Sequence, residues 1–503
     1  MPQVIVAGAG PVGLLAAALL DAAGVSVEVF ERSAGPSRNA KAITVHPRTL
    51  EVLTVLRTTG GQRIADILRS YGTPLPRAHF AALPQTLDYS CLDTPYPFVL
   101  MVPQTRTEKV LADHLDHRGV RVHHNTPVTA LEQDTAAVRV STGRTVHEAG
   151  YLIGADGAHS LVRRQAGIAF PGSAPSAVPF VADVVLAEPR PTASHYWNRR
   201  TGLLSVLPIP DGLNRVFGAE VTDTQLTPQQ ARHRHKQPLT LPVLRDTIHR
   251  ITGHTLDIRH AHWLSRTTDE NRHADRYRTG RILLAGDAAH TQLPAGGQGL
   301  NVGLQDAANL AWKLAAELQG WARPSLVNGD HSYTRERRPV AEQLTTDTLA
   351  QGALMHTFTH GGEALRAMFC DLLIQDTPTH ERLAGWLSGL AVAYGTAERA
   401  EAGHHPLTGT RAPDLAVREG SLLRTLRPDR YLLADFTPAA EFSALAGPRV
   451  HVTSARPRPG AWSGLAAALI RPDGYVAHAA HAGTEPDVTA TAVTTWTSPH
   501  HAA

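Results

Sequence analysis

The sequence is short of cysteine, short of excess charge and free of long apolar runs, and each shortage removes a class of protein. Only two cysteines, Cys91 and Cys370, occur in 503 residues. They lie far apart and form no Cys-x-x-Cys pair, so neither a disulfide framework nor a cysteine zinc site is available. That usage fits a reducing compartment, and a cytoplasmic location is expected. Lysine plus arginine exceeds aspartate plus glutamate by only 48 − 45 = +3. The basic residues are scattered, without the stripe of a nucleic-acid binder, so no nucleic-acid partner is expected. No stretch of about 18 apolar residues occurs, so no membrane span is expected. The apolar run Gly13 to Leu20 has no basic region ahead of it and stops at Asp21, which argues against a signal peptide. The 28 histidines make no His-Glu-x-x-His and no spaced Cys/His set, and no metal site is expected. Arg-His-Arg-His at 232–235 reads as a solvated polar stretch. No internal repeat is visible. The remaining composition, 42% hydrophobic and 18% charged, is that of a globular chain. At ~150 residues per domain, two to four domains are expected.

The first thirty-two residues carry the strongest signal. Gln3 to Ala7 is apolar and β-branched, a buried parallel strand. Gly8-Ala-Gly10-Pro-Val-Gly13 follows at once, then a breaker-free Leu14–Ala23 stretch that predicts a helix. Val25 to Phe30 is a second strand, closed by Glu31 and Arg32. Strand, glycine turn, helix, strand and acid in this order form a dinucleotide-binding fingerprint. The glycines allow a tight turn and a close approach of pyrophosphate to the free amides of a helix N-terminus. Glu31 is placed to accept hydrogen bonds from ribose hydroxyls, and its charge would repel a 2′-phosphate, so NADP is not expected at this turn.

Two later segments repeat the theme. Tyr151-Leu-Ile-Gly-Ala-Asp156-Gly157 reads as a strand ending in Asp-Gly. Gly280 to Gly286-Asp287 reads as a strand that places a carboxylate at the C-terminal edge of a sheet. It leads into Leu293-Pro294-Ala-Gly296-Gly297-Gln-Gly299-Leu300-Asn301 and a helix expected from about Val302 to Leu318. The glycines again expose backbone amides, a second anion-ready edge.

Gly8–Gly13, Asp156-Gly157 and Gly286-Asp287, in this order, resemble the group A flavin-dependent aromatic monooxygenases. The resemblance is to the FAD fold of 4-hydroxybenzoate hydroxylase and, closer still, to the aromatic polyketide hydroxylases of actinomycetes, and it covers nearly the whole chain. It implies that Gly8, Gly10, Gly13, Glu31 and Arg32 hold the adenosine half of FAD. It implies that Asp156-Gly157 serves the FAD and NAD(P)H pyrophosphates, and that Gly286-Asp287 meets the ribityl chain. Pro294, Gly299, Leu300 and Asn301 belong to the loop expected to face the flavin ring. Gln104 matches a glutamine near the ribityl chain and Val128 a backbone contact to adenine; a helix-initiating polar residue is the other reading of Gln104. Lys41 stands where the family has an arginine that touches the pyrophosphate. Lysine keeps the charge but loses the planar fork, and Arg38 or Arg48 is a candidate to compensate.

The implied activity is hydroxylation of a phenolic or polycyclic, polyketide-like aromatic small molecule, with NADPH or NADH as reductant, through a flavin C4a-hydroperoxide. Baeyer–Villiger insertion or epoxidation uses the same chemistry and stays open, as do a reductase without oxygen transfer and a non-catalytic FAD-fold binding protein. The sequence shows no essential catalytic base. His46, His195 and His290 are candidates only by proximity, with His290 better read as a brace of its loop. Phe180, Tyr196, Trp197 and Phe217 are candidates to stack on a planar substrate, with core packing as the alternative.

The expected fold is α/β: a Rossmann-like FAD-binding fold, an inserted mixed β-sheet substrate domain and a C-terminal thioredoxin-like domain. The expected limits are 1–172 and 276–398 for the discontinuous FAD-binding part, 173–275 for the insert and 399–503 for the tail. Asp211-Gly212 predicts a hairpin turn, Thr227-Pro228 a helix start, and Arg471 to Gly474 a further hairpin. Residues 335–395 read as helices. The tail has no Cys-x-x-Cys, which excludes thiol redox chemistry and leaves packing or a homodimer contact. Residues beyond about 485 are expected to be disordered.

Overall fold

The opening apolar run forms a wholly buried strand, β1 (Val4–Ala7), and helix α1 (Pro11–Ala22) follows the glycines. Pro11 occupies the first helical position, where its missing amide costs no hydrogen bond. The computed structural model describes residues 2–37, 39–188, 192–198, 200–322, 332–395 and 403–498, with only the backbone of 196–198. Along the chain come β2 (Val27–Phe30), β3 (Thr44–Val45), α2 (Pro47–Thr54), β4 (Arg77–His79), α3 (Gln104–His117), β5 (Val122–His123), β6 (Tyr151–Gly154) and α4 (Leu161–Gln165).

A second sheet is then inserted: β7 (Phe180–Leu186), β8 (Ser194–Asn198), β9 (Gly202–Ile209), β10 (Leu213–Glu220) and β11 (Ile258–Arg266). Helices α5 (Pro228–Lys236) and α6 (Leu241–Thr252) lie between the last two strands. The chain then returns to the first sheet with β12 (Arg278–Thr279) and β13 (Ile282–Leu284). That sheet has the order β12-β13-β6-β1-β2-β5, with β13, β6, β1, β2 and β5 parallel. Strand β1 thus has a neighbour from later sequence on each side. The chain crosses over in opposite directions here, and α/β sheets open their ligand crevice at such a point.

The inserted sheet was expected to be mixed, but its order β8-β9-β10-β7-β11 is antiparallel at every pairing. The β9–β10 connection is a three-residue hairpin loop, 210–212, with Asp211 at φ 67° and Gly212 at φ 73° in the left-handed region. The sheet has two apolar faces. Leu204, Val206, Val216, Phe180 and Val184 pack with Leu244, Ile248 and Ile251 of α6. Leu203, Leu207, Ile209, Leu213 and Phe217 face the other way. Thr227 starts α5 through a capping box with Gln230, and the 232–235 stretch is the solvated polar face expected, carried on this helix.

Helices α7 (Gln298–Gln319), α8 (Tyr333–His356), α9 (His360–Gln375) and α10 (Thr377–Ser388) follow. Helix α7 starts four residues before the expected Val302. Gly296 and Gly297 adopt left-handed φ values of 64° and 66°, and the helix begins directly after them with Gly299 inside its first turn.

The tail contains β14 (Tyr431–Asp435), β15 (Val450–Ser454), β16 (Leu465–Ile470), β17 (Val476–His481) and α11 (Pro486–Thr497). The sheet order is β15-β14-β16-β17, with only β14 and β15 parallel, as in a thioredoxin-like core. Helix α11 corrects the expected disorder after 485. Pro486 suits its first turn, and Val493 and Trp496 are buried with Trp312 and Tyr431.

A buried ionic network locks this tail to α7 and α8. Arg471 donates to both oxygens of Glu336, at 2.7 and 2.8 Å, and to both of Asp473. Lys313 of α7 reaches the same Glu336 at 2.7 Å. Removing one member of such a set leaves a buried charge unpaired, which costs about 3–5 kcal/mol. Arg471→Met is therefore expected to lower the denaturation midpoint clearly, whereas a midpoint equal to that of the parent would contradict the lock.

Candidate flavin site

The three glycine motifs meet at the C-terminal edge of the parallel sheet. Gly8 has φ 107°, and a Cβ there would lie 2.3 Å from the Ala155 carbonyl oxygen, beside Asp156. A Cβ on Gly13 would lie 2.0 Å from the Gly8 carbonyl oxygen. A Cβ on Gly10 would meet nothing within 4 Å. The first and third glycines are thus demanded by packing, and the second leaves the backbone open to a ligand. Gly286 (φ 61°) and Gly303 of α7 both press on Val12, which ties the third motif to the same turn.

Glu31 sits beneath the turn. One carboxylate oxygen accepts from the Ala9 amide and the other from the Ser33 amide, each at 2.8 Å. Burial pushes its pKa up, but these amide bonds outweigh that and hold the carboxylate below its ordinary range. It is therefore charged at neutral pH, with lone pairs left for a ribose. Arg32 is exposed beside it. Asp156 caps α4, with Oδ2 accepting from the Leu161 and Val162 amides at 2.7 and 3.1 Å. Its Oδ1 is buried with no partner. Asp287 is walled in by protein yet keeps exposed surface, as a residue lining an internal cleft does. Burial raises its pKa, with His290 and Lys41 opposing.

Gln104 is both the first residue of α3 and a clamp. It accepts from the Ala42 amide at 3.2 Å and donates to Glu108 at 2.7 Å. Val128 lies half-buried in a loop against the main core. Lys41 is exposed, and its carbonyl accepts from Arg215 Nη1 at 3.1 Å. Arg48 does not compensate for the missing arginine. It is buried against Glu51, donates to the Asp473 carbonyl and lies over the Tyr475 ring, so it faces the tail. Arg38 lies outside the described residues.

The later glycine loop is fastened from below. Asn301 donates to the carbonyls of Thr44 and Gly297, and its oxygen accepts from the His46 amide at 2.8 Å. His46 Nε2 donates to the Gly296 carbonyl at 2.9 Å. A Cβ on Gly297 would lie 2.1 Å from Thr44 Oγ1, and one on Gly299 would lie 2.3 Å from Gln292 Nε2. Pro294 is exposed and Leu300 half-exposed at the loop surface. His290 braces this region as expected: its Nε2 meets Asp306 at 2.7 Å, and Asp306 is also held by Arg337 and the Gly286 amide.

Leu293 and Ala295 of the loop join a packed apolar cluster with Tyr89, Leu203, Phe217, Leu354 and Leu387. Phe217 therefore faces this cluster. Phe180 does not: it packs on the α6 side of the sheet. The side chains of Tyr196 and Trp197 lie outside the described residues. Beyond Phe358, on the outer side of the cluster, lies a cavity of about 1080 Å³ lined by Gln85, Arg200, Glu363 and Arg366 among others.

Sequence reading missed Asp183, Arg215, His79 and Gln351. Arg215 pairs with Asp183, at 2.5 and 2.9 Å, and also donates to the Ala40 carbonyl, so the inserted sheet grips the Lys41 segment. No spacing rule reveals a contact across 174 residues.

These features fit FAD. A backbone cradle, a charged ribose acceptor, an unpartnered aspartate oxygen and a second amide-rich loop line one cleft. Comparison with known proteins agrees. The FAD binding domain model matches residues 1–348, and the model of the aromatic-ring hydroxylase C-terminal region matches 405–499. The chain is 37% identical over 523 residues to 12-dehydrotetracycline 5-monooxygenase/anhydrotetracycline 6-monooxygenase of Streptomyces rimosus, covering 99% of each chain. It is likewise 37% identical over 482 residues to dialkyldecalin synthase of Streptomyces rugosporus, covering 94% of this chain and 95% of that one. The solved anhydrotetracycline hydroxylase of Streptomyces rimosus superposes with a TM-score of 0.85 at 36% identity, over 99% of both chains. The chain belongs to the FAD-binding aromatic-ring hydroxylase family and is a flavin-dependent monooxygenase. Among the described residues, no helix is long and apolar enough to cross a membrane.

Two predictions follow from this geometry. A side chain at Gly10 meets no protein atom within 4 Å but blocks the pyrophosphate, so Gly10→Val is expected to unfold at the temperature of the flavin-stripped parent and to purify without flavin absorbance. Full flavin content in that variant would contradict the cradle. Separately, burial holds His46, His79 and His356 at a pKa of about 4. In the unfolded chain they protonate near 6.5, so the unfolded state binds more protons between these values. Stability is expected to fall as pH drops from about 6.5 toward 4, and the fall should be shallower in His356→Gln. Equal slopes in parent and variant would contradict a neutral buried His356.

Proposed function

We propose that this protein transfers one oxygen atom from dioxygen to a phenolic or polycyclic, polyketide-like aromatic, with NADPH or NADH as reductant. The observation that carries this reading is that the fastened glycine loop packs through Leu293 and Ala295 into an apolar cluster that borders a large cavity at Phe358. The chemistry of that cluster suits a flat hydrophobic ring system, and the neighbouring cavity of about 1080 Å³ has room for several fused rings. The tetracycline monooxygenase relative and a rifampicin monooxygenase of Rhodococcus hoagii, 34% identical over 514 residues, carry names that point to polycyclic substrates.

Bound FAD supplies the oxygen activation. Gly8, Gly10 and Gly13 would hold its pyrophosphate, with Asp156 beside them; Glu31 and Arg32 would take the ribose end, and Val128 the adenine. Lys41, Gln104, Gly286 and Asp287 would border the ribityl chain. Pro294, Gly299, Leu300 and Asn301 would present backbone to the ring. The chain's own work is to hold these groups and to keep water from the reacting atoms, a task the apolar cluster beside the glycine loop would serve. Segments 1–172 and 276–398 would form the flavin-binding part, 173–275 the substrate wall, and 399–503 a packing domain. Free Cys91 and Cys370 fit a cytoplasmic enzyme.

A second reading rests on the dialkyldecalin synthase relative, whose name denotes ring formation in a related chain. One experiment separates the two. Planar phenols are expected to accelerate NAD(P)H oxidation by the flavin-loaded protein and to yield products carrying one atom of heavy oxygen from labelled dioxygen. The position of that atom distinguishes hydroxylation from ring insertion or epoxidation. Products of unchanged mass, with no label, would refute oxygen transfer and favour cyclisation.

A further inference from the structure

Beside the apolar cluster runs a file of polar side chains, of which only His46 also fastens the glycine loop. It runs from the inserted sheet to the glycine loop. Ser205 of β9 lies directly opposite His195 of β8, and its Oγ is 2.8 Å from His195 Nδ1. The His195 ring stands 5.6 Å from the ring of His79, at the end of β4. His79 lies within electrostatic reach of His46. His46 in turn bonds the Gly296 carbonyl and stands 3.3 Å from the Tyr89 hydroxyl through Nδ1. Ser205 and Phe217 are cross-strand partners, so the file starts on the face of the sheet that packs on the apolar cluster.

His79 is the incomplete member. Its Nδ1 is buried with no partner, although the ring as a whole keeps accessible surface. An unpaired buried ring nitrogen is unfavourable, so binding is favoured when a ligand supplies the partner. The segment that carries it is also held rigidly at a cost. Ala81 and Ala82, two residues on, are buried with left-handed φ values of 51° and 54°, which non-glycine residues rarely adopt. The Ala81 amide donates to Gln351 of α8, which itself donates to Gln298 at the start of α7. Backbone strain of this kind persists where surrounding structure over-determines it, and it clusters at ligand sites. His79 is thereby fixed relative to the glycine loop.

We infer that His79 and His195 together receive a phenolic or enolic hydroxyl of the substrate and so set which ring edge faces the glycine loop. This deepens, and rests on, the aromatic-substrate reading. Burial keeps both imidazoles neutral at pH 7, with His79 held at about 4 and His195 below its usual value. A neutral imidazole accepts from a hydroxyl and offers no charge to a carboxylate or phosphate. The pair thus selects an uncharged, hydroxylated ring.

The test uses the flavin-loaded full chain with 2-hydroxyanthracene, a planar tricyclic phenol that is uncharged at pH 7, and its methyl ether as probes, binding being read from the flavin spectrum. The parent is expected to bind the phenol about five- to tenfold more tightly than the ether. His79→Leu should abolish that preference while flavin content stays complete, and His79→Gln, which can still hydrogen-bond, should restore part of it. His195→Gln should weaken the preference independently. A preference that survives both His79→Leu and His195→Gln overturns the inference and leaves the aromatic reading standing. Failure of both probes to perturb the parent spectrum overturns the aromatic reading and this inference with it.

Discussion

The closest backbone approach at the site is the one on which the rest depends: the Gly8 Cα faces the Ala155 carbonyl, and the Gly13 Cα faces the carbonyl of Gly8. No side chain fits at either point. This contact brings the first turn of α1 against the end of β6, leaves Gly10 open above it and places the α1 amides at one edge of the cleft. The parallel sheet sets the stage, because β1 lies between β2 and β6 and the crevice opens where the crossovers diverge. The second edge comes from α7, whose Gly303 lets it sit against Gly286 and Val12. A dinucleotide cradle and a ring-facing loop are thus two ends of one packed unit.

Much of this was legible in the sequence because it is local. The run Val4–Ala7, the glycine spacing and the strand ending at Phe30 specify their elements within about thirty residues. Asp211-Gly212 and Thr227-Pro228 gave their turn and cap for the same reason. The misreadings have physical causes. The helix expected from about Val302 starts at Gln298, because left-handed Gly297 caps it and Gly299 fits within its first turn. The Ala- and Thr-rich stretch after 485 looked unstructured, but Val493 and Trp496 meet on one helical face and are buried with Trp312 and Tyr431. The inserted sheet is antiparallel, and alternating burial on its two faces carries no sign of strand direction. Long-range partners such as Arg215 with Ala40, or Gln351 with Ala81, leave no pattern in a single sequence.

Neutral buried groups define the substrate side as much as glycine defines the cofactor side. The cluster beside the glycine loop is apolar, the histidines next to it are held uncharged by burial, and the main charge clusters are placed elsewhere. Arg215–Asp183 grips the Lys41 segment, Asp306 joins His290 to Arg337 behind the glycine loop, and Glu336–Arg471–Asp473 joins the tail to α7 and α8. This separation suits a reaction that must exclude water while binding a cofactor with a charged pyrophosphate.

The most direct measurement is calorimetric titration of flavin-stripped protein with FAD. The account predicts saturable binding of one FAD per chain and recovery of a structured flavin absorbance band. Absence of heat and of any spectral change at saturating FAD, in protein that is otherwise folded, would contradict it.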